Sequence, residues 1–349
     1  MRKERLMKAS MPEIVGNLAL RKKLCRDILS GSLSHAYILE GADGSGRHTL
    51  ALMSAAALAC EKKDDQSAAL PCLCCPSCKK IIGRKSPDVI FVGTDGKASL
   101  GVDTARFLKE DVHILPNDLD DKIYIIEDAD KMTSQAQNAL LLTLEEPPSF
   151  AHFFLLCNNA GALLETIRSR APILRTEPVA DSELDEHICK HDRRAVQMKL
   201  SNKKEYAELI KCAAGGIGKA LVLLEPKAWK PIAEQRALVS ELVIAATEQK
   251  GAKAVLPLLS KLSSKRDQLN DQLSLLSDAL RDLILLKKSE DAPLTFYCDR
   301  NEAIELCDST SLSFLCAFYE AVSEAIDENR RNANLRLAIL KMATVAKLI

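Results

Sequence analysis

Residues Ala36–Leu50 read AYILEGADGSGRHTL. A short β-type run meets a glycine-rich turn, and the helix-forming stretch LALMSAAALAC follows. Gly41, Gly44 and Gly46 satisfy the G-x-x-x-x-G spacing of a phosphate-cradling loop, in which backbone N–H groups and a helix N-terminus converge on an anion. The glycines therefore predict the strand–loop–helix core of an α/β nucleotide-binding domain. The next two positions depart from it. Arg47 stands where a lysine normally reaches the β- and γ-phosphates, and His48 where a hydroxyl normally ligates Mg²⁺. Arg47 keeps a charge in a planar, bulkier fork, and His48 offers nitrogen to an ion that prefers oxygen. Thr49 carries a hydroxyl, but one place further along a helix it is turned by about 100°. The expectation is a loop that keeps the shape of a nucleotide site without seating ATP and Mg²⁺ productively. Weak nucleotide binding through the backbone stays open.

Working outward, DKIYIIEDADKM, residues 121–132, has four apolar residues running into two acids. This pattern predicts a buried parallel strand that delivers carboxylates to the sheet edge where α/β ligand sites lie. Glu127 falls in the Mg²⁺-supporting place and Asp128 in that of a water-activating base. The usual order, Asp then Glu, is reversed. The longer side chain crowds the metal position and the shorter one reaches less far toward water. The alternative is that both acids simply end a strand at solvent.

Between these motifs lies PCLCCPSCKK. Cys72, Cys75 and Cys78 follow C-x₂-C-x₂-C, and Cys60, at the end of the preceding helix, can supply a fourth thiolate. Such a set closes a tetrahedral structural zinc site with no open position for catalysis. Cys74 breaks the x₂ register and is left out. The other cysteines of the chain are scattered and read as small buried apolar residues.

Similar β-type runs, DVIFV, FFLLC and PILRT, alternate with helical segments up to Thr176. They predict a parallel sheet covered by helices on both faces, at residues 1–176, with the cysteine module inserted at 60–78. Short helical segments over 177–225 end in AAGGIGKALVLLEP and predict a small helical lid. Residues 226–349 are almost wholly helix-forming, with apolar residues at three- and four-residue spacing, and predict an all-helical bundle. A chain of 349 residues, 47% apolar, is long enough to bury more than one core. Its 48 basic and 48 acidic side chains cancel, so no global field draws it to DNA or an anionic membrane. No apolar run reaches bilayer length and MRKERLMKASMPE lacks a secretory signal's apolar segment, which points to the cytoplasm.

These motifs, together with NALLLTLEEPP (138–148), TIRSR (166–170) and ENRRNANLRLAI near the C-terminus, resemble in order and spacing the clamp-loader subunits of bacterial DNA polymerase III. The likeness runs from about Val15 to Arg175 and is weaker over the lid. Members of the gamma and tau type carry the loop lysine and a DE acid pair. This chain has neither, and so resembles the delta-prime type, which generally does not act as an ATPase. The resemblance implies an AAA+ P-loop domain, a lid and a helical collar, assembled in a pentameric ring with gamma/tau ATPase subunits and a delta subunit. It also implies that the ring opens a sliding clamp on primer–template DNA, with phosphate contacts free of base specificity.

Carried over by position, Ser169 and Arg170 begin the family's Ser-Arg-Cys motif, whose arginine reaches the neighbouring subunit's ATP site; Ala171 replaces its cysteine. Arg168 competes for that role. Asn158 and Asn159 lie at the family's nucleotide-sensing place. Lys219 stands one position from the lid arginine of the active ATPases. Lys79, Lys80, Arg84 and Lys85 form a candidate phosphate-contact patch. Two rival readings are an active gamma/tau-type ATPase, with Arg47 replacing the lysine and Thr49 holding Mg²⁺, and a zinc-organised nucleic-acid-binding module.

Overall fold

The computed structural model describes residues 11–345 apart from 13, 66, 95, 97, 248–251 and 332–334. The stretch 332–334 belongs to the ENRRNANLRLAI motif, which to that extent lies outside the described residues.

Five parallel strands form one sheet among the described residues: β1 (Ala36–Glu40), β2 (Val89–Val92), β3 (Lys122–Ile126), β4 (Ala151–Cys157) and β5 (Ile173–Arg175), in the order β2-β3-β4-β1-β5. Each arises from an apolar run recognised in the sequence. Alternation inside those runs feeds two cores, because successive side chains of a strand point to opposite faces. Tyr37, Leu39, Ile123, Ile125, Phe154 and Leu156 pack on one face with Leu50, Ala51 and Met53 of the helix Arg47–Leu58. Ala36, Ile38, Tyr124, Ile126, Phe153 and Leu155 pack on the other. There they meet Ala105 and Leu108 of the helix Val102–Asp111, and Leu140 and Leu144 of the helix Ser134–Glu145. Ring stacking reinforces both layers, with centroids 6.1 Å apart for Tyr37–Phe154 and 4.9 Å for Tyr124–Phe153.

The helix after the glycine loop begins at Arg47, three positions before the apolar stretch that announced it. The polar motif residues thus occupy its first turn, as they must if the loop is to hand its N–H groups to a helix N-terminus.

The chain divides into two compact units. The first runs to Lys190 and includes Ala213–Ala220; the second comprises His191–Cys212 and the chain from Leu221 onward. In the second unit the helix Arg266–Leu286 buries Leu269, Leu273, Leu276, Leu280 and Leu283. The helix Leu312–Arg330 answers with Leu315, Phe318, Val322 and Ala325. This spacing makes one apolar stripe per helix and a shared core. Asp282, fully buried in that unit, accepts hydrogen bonds from the backbone N–H groups of Thr295, Phe296 and Tyr297. No helix among the described residues is long and apolar enough to cross a membrane.

Candidate functional site: an altered nucleotide loop, a cysteine cluster and an arginine

β1, β3 and β4 end at the same sheet edge, so the glycine loop, the acids and the Asn158–Asn159 pair are brought together by the topology. The loop requires its glycines for separate reasons. A Cβ on Gly41 would stand 1.9 Å from Thr176 Oγ1 and 2.7 Å from Ser45 Oγ, two hydroxyls that already pair at 2.8 Å. Gly44 and Gly46 take φ values of +80° and +89°, a region costly for other residues. A Cβ on Gly44 would also fall 2.7 Å from the Lys219 backbone nitrogen. The start of the helix Ile217–Leu223 is therefore seated against the loop, with Gly216 close to Asp43 O and Gly218 close to Gly44.

Inside this loop the side chains partner one another. Arg47 is only 6% exposed, and its Nη2 donates to Asp43 Oδ1 at 2.8 Å. His48 Nδ1 lies 3.2 Å from Glu127 Oε1, and Arg84 Nη2 stands 3.6 Å from the same oxygen while its guanidinium lies over the Phe91 ring. The hydrogen bond from His48, helped by the charge of Arg84, holds the Glu127 carboxyl below the usual range although burial opposes it. Thus the acid read from the sequence as Mg²⁺-supporting has an imidazole and a guanidinium beside it. Asp128 adopts a left-handed φ of +54°, accepts from Thr94 Oγ1 at 3.2 Å and pairs with Lys131 at 3.2 Å. Thr49 is exposed on the helix. Asn158 donates its backbone N–H to Asp130, and Asn159 Oδ1 accepts from Gly161 N, capping its own short turn.

The four cysteines singled out by spacing do converge. The sulfurs of Cys60, Cys72, Cys75 and Cys78 all lie within 4.8 Å of one another, and Cys72 and Cys78 are 4.0 Å apart. A tetrahedral zinc with Zn–S bonds of about 2.3 Å sets its sulfurs about 3.8 Å apart, so the set fits such an ion. The backbone N–H of Cys75 donates to Cys72 Sγ and that of Cys78 to Cys75 Sγ, each at 3.4 Å, which orients sulfurs as acceptors. Burial pushes the Cys60 and Cys78 thiols up. At Cys72 burial works in the same sense but is outweighed by the N–H groups of Cys74 and Cys75 and by neighbouring thiols, which bring it down to about 6. A bound dication would remove this conflict by favouring thiolate at every position. Cys74 is exposed, 3.7 Å from Lys62 Nζ, and outside the cluster.

Arg170 follows the short helix Glu165–Arg168. Its Nη1 donates to Thr166 O at 2.8 Å, and its Nη2 meets Glu145 Oε1 at 2.5 Å. Ser169 Oγ donates to Thr166 O as well. Of the basic patch, Lys80 pairs with Asp118 at 2.8 Å and Arg84 belongs to the Glu127 cluster, so part of its charge is engaged within the chain.

Sequence reading missed three residues of this region. Asp43 and Glu145 carry no motif of their own. Gln137, 3% exposed, donates Nε2 to Met132 O and Ala162 O and accepts from Leu164 N at 2.7 Å, tying the end of the acid-bearing segment to the approach to Arg170. Only its position on the buried face of a helix, among Ala136, Leu140 and Leu144, could have marked it.

Residues 16–180 match the family model described as DNA polymerase III, delta subunit. The DNA polymerase III subunit delta-prime of Bacillus subtilis (strain 168) is 33% identical over 193 residues, 54% of this chain and 57% of the relative. The tau subunit of the same organism is 30% identical over 214 residues, 61% of this chain and 37% of the relative. The chain thus spans 57% and 37% of the length of these two curated relatives. Among solved structures, a DNA polymerase III gamma subunit-related protein from Thermotoga maritima shares 20% identity, with 94% of this chain and 98% of that one covered, at a TM-score of 0.42. Over residues 16–180 the family model and the named relatives thus support a likeness to the clamp-loader AAA+ family that includes the delta-prime, gamma and tau subunits of DNA polymerase III.

Proposed function

We propose that the chain is a delta-prime-type subunit of a DNA polymerase III clamp loader, one that does not hydrolyse ATP itself and lends Arg170 to the ATP site of a neighbouring gamma/tau subunit. The observation that carries the first half is the pairing of Glu127 with His48 and Arg84. Productive hydrolysis needs Mg²⁺ coordinated by oxygen ligands next to the β- and γ-phosphates. Here an imidazole and a guanidinium take up the acid, Arg47 turns to Asp43, and the start of the helix bearing Lys219 lies against Gly44. The rival reading as an active ATPase expects Arg47 to reach toward phosphate, whereas its guanidinium is buried beside the loop's own aspartate.

The second half rests on Arg170, about one-third exposed at the protein surface, with its guanidinium Nη1 donating to Thr166 O. A guanidinium presented in trans stabilises charge on a transferring phosphoryl group, an effect of roughly 10³ to 10⁵ in rate among GTPases. In this reading the cysteine cluster holds a structural zinc, the helical second unit joins the ring, and DNA is met through phosphates without base specificity. The sliding clamp and a delta subunit are the other partners, and the cytoplasm is the compartment.

Reconstitution with purified gamma/tau and delta subunits tests this. Arg170→Ala is expected to lower the clamp-stimulated ATP hydrolysis of the complex while leaving assembly on a sizing column intact. Unchanged turnover in that variant, or hydrolysis by the isolated chain, would overturn the reading.

A further inference from the structure

We infer that Glu145 is a positioning residue for the Arg170 guanidinium, holding it in the orientation in which a neighbouring subunit's nucleotide meets it. This deepens the proposal above and rests on it. Glu145 is the last residue of the helix Ser134–Glu145, just before Pro147 and Pro148 stop the helix. A carboxylate there faces the negative end of the helix dipole, so local helix stability gives no reason for an acid at that place. The nearby cation supplies one. Glu145 Oε1 lies 2.5 Å from Arg170 Nη2, and Thr166 O accepts from Arg170 Nη1 at 2.8 Å, so two different ends of the planar fork are fixed by two different segments. A further contact of Nη1 with Ser169 Oγ is longer, at 3.4 Å. A guanidinium has five N–H donors, so at least two remain for a phosphoryl oxygen while its plane is held. Both side chains keep over a third of their surface exposed, 34% for Arg170 and 38% for Glu145, which leaves the fork within reach of a second protein.

Fixing a reacting group's direction acts on the rate of the chemical step more than on ground-state binding. In the reconstituted complex, Glu145→Ala is therefore expected to lower kcat for clamp-stimulated ATP hydrolysis roughly tenfold to a hundredfold, with KM for ATP little changed. Glu145→Gln retains an amide oxygen that can accept from Nη2, and should recover most of the rate. In an Arg170→Ala background, Glu145→Ala should add no further loss. Sizing chromatography and the unfolding temperature of each variant show that assembly and folding are intact. If Arg170→Ala slows the complex but Glu145→Ala leaves kcat unchanged or raises it, the positioning role is wrong and the arginine's own role stands. If Arg170→Ala has no effect, both fall together.

Discussion

His48 Nδ1 and Glu127 Oε1 stand 3.2 Å apart although 79 positions separate them in the chain. With Arg84 on the same oxygen, the isolated protein should show the same unfolding temperature with and without millimolar Mg²⁺·ATP. Arg47→Lys combined with His48→Thr restores the ammonium and the hydroxyl that the cradle's chemistry requires. This double variant is expected to gain about 1.4 kcal/mol of stability when nucleotide is tenfold above its Kd. A ligand-dependent shift in the unaltered chain, lost on Arg47→Ala, would contradict the assignment.

The cysteine cluster makes a compositional prediction. Metal analysis of the purified protein should find close to one zinc per chain, and the Cys75→Ser, Cys78→Ser double variant should lose it. Cys74→Ser, outside the cluster, should leave the zinc content unchanged. Equal zinc in all three proteins would count against the site.

Gly41→Ala should cost about 1–3 kcal/mol in a denaturant titration, because the new methyl overlaps Thr176 Oγ1. Thr176→Ala in the same chain removes that oxygen but leaves Ser45 Oγ 2.7 Å and the residue's own Cβ 3.3 Å from the added methyl. Recovery should be partial, and that partial coupling is the diagnostic result.

Asp88 is fully buried, and its two carboxylate oxygens accept from the backbone N–H groups of Asn117, Asp118 and Leu119. Burial alone would raise its pKa, but these donors outweigh it and hold the carboxyl below its ordinary value. The folded form therefore binds its proton more weakly than the unfolded chain. Its stabilising contribution is complete above the unfolded value, near pH 4, and disappears as the pH falls through the folded value. Asp88→Ala should cost about 1–3 kcal/mol at pH 7 by stripping three part-buried backbone donors of their acceptor. The gap between variant and parent should narrow below about pH 4, in urea titrations run at several pH values.

The strands were visible in the sequence because a parallel sheet covered on both faces demands apolar runs, as in AYIL, VIFV, IYII and FFLLC, while the edge strand in PILRT shows as a shorter run ending in an exposed arginine. The cysteine set was visible because Cys72, Cys75 and Cys78 repeat an x₂ spacing within one short segment and Cys60 ends the helix before it. What stayed hidden were pairings between distant positions. Asp43 looks like any turn residue until Arg47 folds onto it, and nothing near Arg84 announces Glu127 as its partner. Likewise Glu145 gains meaning only from the side chain that crosses to it from residue 170. Local periodicity reports which face of an element is buried, and leaves unsaid which polar groups meet across elements.

The helix Ser134–Glu145 is about 18 Å long, and Gln137 clasps the segment leaving β3 near one end while Glu145 grips the arginine at the other. The rod is thus tied to other segments near both of its ends. A tilt imposed where the acid-bearing strand ends would then be passed along the rod to the guanidinium at its far end.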